Sequence, residues 1–99
     1  MESTVRNNEA AGRFEIEAEG HLAELTYRLK PGSITFIHTG VPPELEGRGL
    51  ARQLAVAGLE YAKANQLAVI PLCPYVAAYI KRHPEYKELV PEEHRPRVS

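Results

Sequence analysis

Several things this chain lacks narrow what it is. Cys73 is its only cysteine, so an internal disulfide and a multi-cysteine metal site are both excluded, and a reducing, cytoplasmic setting is expected. Net charge is almost absent. Twelve basic residues against thirteen acidic ones leave −1, so no global field draws the chain to nucleic acid or to an anionic membrane. No apolar run comes near the roughly 20 residues that cross a bilayer. The opening Met1-Glu2-Ser3-Thr4 lacks the basic-then-apolar pattern of a secretory signal. The four histidines show no paired ligand spacing, so no metal is expected. Internal repeats and low-complexity segments are missing too. Ninety-nine residues, 43% hydrophobic and 25% charged, are expected to form one globular domain with a single modest core, as a monomer or weak dimer.

Alternation is what the first half of the chain does have. Residues 1–12 are polar and are expected to be a flexible lead-in or, at most, part of an edge strand. From Arg13 the period is two, with Phe14, Ile16 and Ala18 on one face and Glu15, Glu17 and Glu19 on the other. After a turn at Gly20-His21 a second strand puts Ala23, Leu25, Tyr27 and Leu29 inward. Pro31-Gly32 suits a type II turn. A third strand, Ile34 to Val41, is apolar on both faces, as a strand covered on both sides would be. The period then lengthens. A helix is expected from about Gly47 to Asn65, with Asn65 as a left-handed stop. A buried strand, Leu67 to Leu72, a second helix, Tyr75 to Arg82, and a loose tail over 91–99 complete the order β-β-β-α-β-α. This is a mixed α/β, or α+β, domain over 13–90, with one right-handed crossover and one parallel strand pair.

Glu46-Gly47-Arg48-Gly49-Leu50-Ala51-Arg52 joins the third strand to the first helix. A glycine-bearing turn that feeds a helix leaves backbone N–H groups unpaired and adds the positive end of the helix dipole, which makes it a seat for phosphate. Gly47 and Gly49 let such a group approach the main chain. The alternative is an ordinary helix start with two turn glycines. Arg48 and Arg52 put positive charge where the dipole disfavours it, so they call for an anion there; otherwise they are solvated side chains on an exposed face.

These residues also carry a resemblance. Glu46, Gly49 and Ala51 occupy the first, fourth and sixth places of a pattern of the GNAT superfamily of acyl-CoA N-acyltransferases: Gln or Arg, two residues, Gly, one residue, then Gly or Ala. Glu46 departs from its first place. Tyr79-Ile80-Lys81-Arg82-His83-Pro84 stands where those enzymes often have Tyr, three residues, Gly and an aromatic. His83-Pro84 departs from that ending, and Tyr86 is the aromatic nearest to it. The segment from Ile70 to Ile80, with His38-Thr39-Gly40-Val41-Pro42, resembles a small single-domain GNAT-like family of about this length. The resemblance runs from the first strand to about Val90.

That resemblance implies a minimal GNAT-like fold and acetyl-CoA as the acetyl donor. Pantetheine would lie between the diverging ends of the third and fourth long strands, with Val41 as its main-chain partner. The pyrophosphate would rest on the N–H groups of Gly47, Arg48, Gly49, Leu50 and Ala51, with Arg48 and Arg52 near the phosphates and Pro74 and Tyr75 also at the coenzyme. Tyr79 would protonate the departing CoA thiolate; the other reading makes it a core aromatic. Cys73 ends a buried strand beside the start of a helix. It is a nucleophile that takes the acetyl group, a bystander beside the CoA sulfur, or a small buried hydrophobe. His38, given inward parity with Ile34 and Phe36, is a base for the amine or a satisfied core histidine. The activity implied is transfer of an acetyl group to an amine, either directly or through acetyl-Cys73. The alternative is a non-catalytic acyl-CoA-binding module. The amine, a small molecule or a protein, is not identified.

Overall fold

A computed structural model describes residues 4–99. Five strands lie in chain order across one sheet: β1 (Arg6–Asn8), β2 (Arg13–Ala18), β3 (His21–Lys30), β4 (Ser33–Gly40) and β5 (Ala68–Pro71). The first three pairings are antiparallel and the last, β4 with β5, is parallel. The expected mixed α+β fold is therefore the one observed. Residues 6–8, expected from sequence to be lead-in or at most part of an edge strand, form the edge strand, pairing Arg6 with Glu15 and Asn8 with Arg13. Glu19 (φ 52°) and Gly20 (φ 77°) turn β2 into β3, and two successive positive φ values match the twist of a tight hairpin.

Between β4 and β5 runs α1 (Leu50–Ala64), which starts after Gly49 and so leaves Gly47 and Arg48 in the loop. Its stop differs from expectation. Asn65 has φ −101° and bonds its side-chain amide back to the Tyr61 carbonyl (2.8 Å), while Gln66 takes the left-handed conformation at φ 55°. The second helix, α2 (Pro74–Arg82), follows β5. Among the described residues no helix is long and apolar enough to cross a membrane.

Inward strand residues meet Leu54, Ala55, Leu59 and Ala62 of α1 and Val76 and Ile80 of α2 in one buried cluster. The helix packs tightly on the sheet at Gly58, where a Cβ would lie 2.7 Å from the Phe36 ring and 3.2 Å from Leu25. β4 is not covered on both sides as its apolar sequence suggests. Ile34 and Phe36 are fully buried, whereas Ile37 is 41% exposed. The segment over 91–99 also departs from the loose tail expected of it. Glu92–Val98 forms a 3₁₀ turn, Val98 is buried in the core, and Arg95 Nε donates to the Val90 carbonyl (2.6 Å).

On the opposite face of the sheet Glu15 is buried under two guanidinium groups. Arg6 and Arg13 donate to its two carboxylate oxygens, and Asn8 Nδ2 adds a third bond at 3.0 Å. Arg6 first, then Arg13, pull this carboxyl from an ordinary 4.5 down to about 2, against the opposing effect of burial. The arrangement ties β1 to β2.

Two outcomes follow from this packing. Gly58→Ala improves intrinsic helix propensity by about 1 kcal/mol, yet it drives a methyl into a fixed ring, and overpacking costs about 1–3 kcal/mol. Urea unfolding should therefore show net destabilisation, partly relieved by Phe36→Leu. Glu15 gives the pH dependence. Its pKa is depressed in the folded state, so its contribution is complete above about pH 4.5 and drains away as pH falls toward 2. Glu15→Gln should be less stable than the parent at pH 7 and lose less stability between pH 5 and 2.5.

Candidate functional site

The pairing of β4 with β5 stops early. It runs from Ser33 opposite Ala68 to Phe36 opposite Pro71, followed by one last bond from the Cys73 N–H to the Phe36 carbonyl (2.8 Å). β4 continues to Gly40 against β3 alone. The two strands part at the point where β4 carries an extra residue, because Tyr27 faces Phe36 while Thr26 faces His38, leaving Ile37 unmatched. Such a bulge bends the strand and re-aims the side chains after it.

The bulge corrects the expected orientation of His38. Its inward parity with Ile34 and Phe36 ends at Ile37. His38 is exposed opposite Thr26, and Thr39 instead shares the inward face of its partner Leu25. Thr39 Oγ1 thereby reaches Cys73 Sγ at 3.1 Å across the opening between the strands. Cys73 is only 1% exposed. Thr39 was missed because parity had assigned the inward place to its neighbour. Beyond it Gly40 is bare: a Cβ there would lie 3.4 Å from His38 Nε2 and 3.9 Å from Glu24 Cγ. Val41 is half-buried and packs on the core.

A 3₁₀ turn, Pro43–Leu45, begins the loop to α1, and the fully buried Leu45 anchors it. Gly47 (φ 84°) and Gly49 (φ 73°) both need the left-handed region, and a Cβ on either would meet nothing within 4 Å. Their requirement is conformational as much as one of access. Gly49 is the N-cap of α1, no side chain caps the helix, and its first turn holds no acidic residue. Among the described residues the N–H groups of 47–52 have no protein acceptor. Six consecutive donors thus surround the positive end of the helix.

The two arginines separate. Arg48 Nη1 donates to Glu19 Oε2, from the tip of the β2–β3 hairpin, and this partner lowers the Glu19 carboxyl below its ordinary value. Arg52 is exposed and makes no ion pair among the described residues. His21 Nδ1 lies 3.9 Å from Glu44 Oε1, so the hairpin tip comes near the loop at a second point. Glu19 was not singled out from the sequence; a contact spanning 29 positions leaves no local signal.

On α2, Pro74 takes the first turn, where its missing N–H costs nothing, and Tyr75 is 38% exposed beside the opening. Tyr79 stacks on His83 with ring centroids 4.1 Å apart and lies 6.2 Å from the Tyr86 ring. Tyr86 donates its hydroxyl to Glu60 of α1 (2.6 Å), and burial, then Glu60, raise its phenol above the ordinary value. Tyr79 is half-buried in this aromatic group, in the second turn of α2. No cluster of three or more metal-ligating side chains occurs among the described residues.

Two parallel strands that part beside an uncapped, glycine-bounded helix start are compatible with a minimal GNAT-like fold, and the sequence comparison agrees. A family model described as GCN5-related N-acetyl-transferase matches residues 13–89. The chain belongs to that family. Similar curated proteins are Protein NATD1 of Gallus gallus and of Mus musculus, each 38% identical over 47 residues, and that of Homo sapiens at the same identity. The match takes in 48% of this chain and 42–43% of those proteins, so it spans less than half of either length.

The turn itself makes a prediction. Gly49→Ala introduces no clash, so its cost is the left-handed φ alone, about 1 kcal/mol. Gly49→Asn should cost less, because asparagine tolerates that region. Urea midpoints should rank parent, Asn, Ala in falling order.

Proposed function

We propose that this protein is an acetyl-CoA-dependent N-acetyltransferase acting on an amine. The observation that carries the reading is the run of six unpaired N–H groups, 47–52, next to the strands that part at Phe36 and Pro71. A diphosphate suits those donors, with Arg52 and Arg48 as its charged partners. The unpaired edge of β4 after Phe36 suits an amide-bearing pantetheine arm lying as an added strand, with Val41 and Tyr75 beside it. Acetyl-CoA supplies an activated thioester. The chain's part is to hold that thioester in the opening and bring the amine to it.

The amine approaches over Gly40, between His38 and Glu24, from the face opposite the helices. His38 there accepts the proton that the amine gives up. Tyr79 supplies the proton to the departing thiolate. With Cys73 1% exposed and engaged by Thr39, direct attack by the amine is favoured over transfer through acetyl-Cys73. The acceptor is an amine, free or on a protein, and the protein works as a monomer or weak dimer.

Thermal unfolding and intact-mass measurement test this together. Acetyl-CoA at a hundred times its dissociation constant should add about 2.7 kcal/mol of stability. A panel of amines should yield acetylated product. Cys73→Ala should keep coenzyme binding and turnover within about tenfold, since in direct attack the thiol forms no bond to the acetyl group, whereas loss of a covalent nucleophile would remove the route. Loss of turnover with binding retained, together with one acetyl group on Cys73 of the parent, would move the reading to the two-step route. Binding without product from any amine would make the protein an acyl-CoA-binding module.

A further inference from the structure

The hairpin tip meets the loop that carries the six donors from outside. Glu19 reaches Arg48 from one side of that tip, and His21 approaches Glu44 from the other. The tip has a defined shape, because Glu19 and Gly20 both sit at positive φ. Neither partner of the ion pair is shielded: Arg48 is 43% exposed and Glu19 64%. Such a pair forms and breaks at little cost. Arg48 itself belongs to the run of donors suited to a phosphate, so its partner carboxylate is brought to the loop that carries them. An arriving diphosphate meets Arg48 already engaged and a like charge close by.

Resting on the proposed coenzyme site, we propose that Glu19 is a specificity-determining residue that competes with the diphosphate for Arg48. It neutralises Arg48 when no ligand is bound and gives it up only to a ligand carrying more negative charge than its own. It therefore disfavours monoanionic ligands at the turn and lowers affinity for the full coenzyme by a fixed factor. A phosphate-free thioester, which never reaches Arg48, is indifferent to it. The pair also answers the two arginines crowding a helix start: in the ligand-free chain Glu19 is the anion that Arg48 calls for.

Isothermal titration of the parent, Glu19→Gln, Arg48→Ala and the double variant, with CoA and with a phosphate-free pantetheine thioester, tests this at low and high salt. Glu19→Gln should bind CoA about two- to fivefold more tightly at low salt, within the range an exposed charge pair spans. The gain should shrink at high salt, as screening requires. The pantetheine thioester should bind both proteins equally, and in the Arg48→Ala background the gain should be smaller. Glu19→Asn, which suits φ 52°, should repeat the result if glutamine disturbs the hairpin. CoA affinity that is unchanged or weaker in both Glu19 variants overturns the proposal, making Glu19 a bystander or a support for Arg48. Absence of CoA binding in the parent and in both Glu19 variants overturns the coenzyme site itself and this inference with it.

Discussion

Because β4 pairs with β3 along nearly all of its eight residues and with β5 along only four, it serves two neighbours of unequal length, and Ile37 is the residue that reconciles them. Pairing on one side shifts by a residue where pairing on the other side ends. From that single mismatch come the opening between the strands, the outward turn of His38 and the inward turn of Thr39. Without the extra residue the parity of Phe36 would continue, and His38 rather than Thr39 would face Cys73. The bulge therefore decides which side chain stands on which side of the opening, and separates the face that carries His38 from the face that holds the thiol.

The loop before α1 joins two requirements that pull against each other. Positive φ at Gly47 and Gly49 turns the chain so that successive N–H groups stay unpaired, which helix formation by itself would avoid. Arginine at 48 and 52 then adds like charge to a positive dipole end. Leu45, buried without residual exposure, keeps this loop in place despite its poor local energetics, and Glu19 of the hairpin tip meets it at Arg48. Local disadvantage offset by tertiary support is common at binding sites.

How far the sequence could be read depended on the range of each interaction. Strands β2 and β3 and both helices were legible because alternation and helical spacing repeat within a few residues. The glycine turn was legible because positive φ and an uncapped helix have residue-level signatures. The bulge was not, since an apolar isoleucine among Ile34, Phe36 and His38 continues the pattern to the eye while ending it in register. The Glu19–Arg48 pair and the burial of Val98 depend on elements far apart in sequence, so nothing near either residue announced them. Asn65 and Gln66 show the finer limit: the preferred left-handed residue type was present, and the chain used its neighbour.

Burial of Val98 has a consequence for how the sheet meets other molecules. The turn from Glu92 to Val98 packs against β5, the strand with a single neighbour at its end of the sheet. Sheet borders invite pairing with strands of other chains, the usual start of aggregation. Here one border is shielded by the chain's final turn, and the other is β1, only three residues long and studded with Arg6. The accessible stretch of unsatisfied strand is then the interior one, along β4 after Phe36. Covered or short borders and an opening in the interior of the sheet are in this way two results of one distribution of paired main chain.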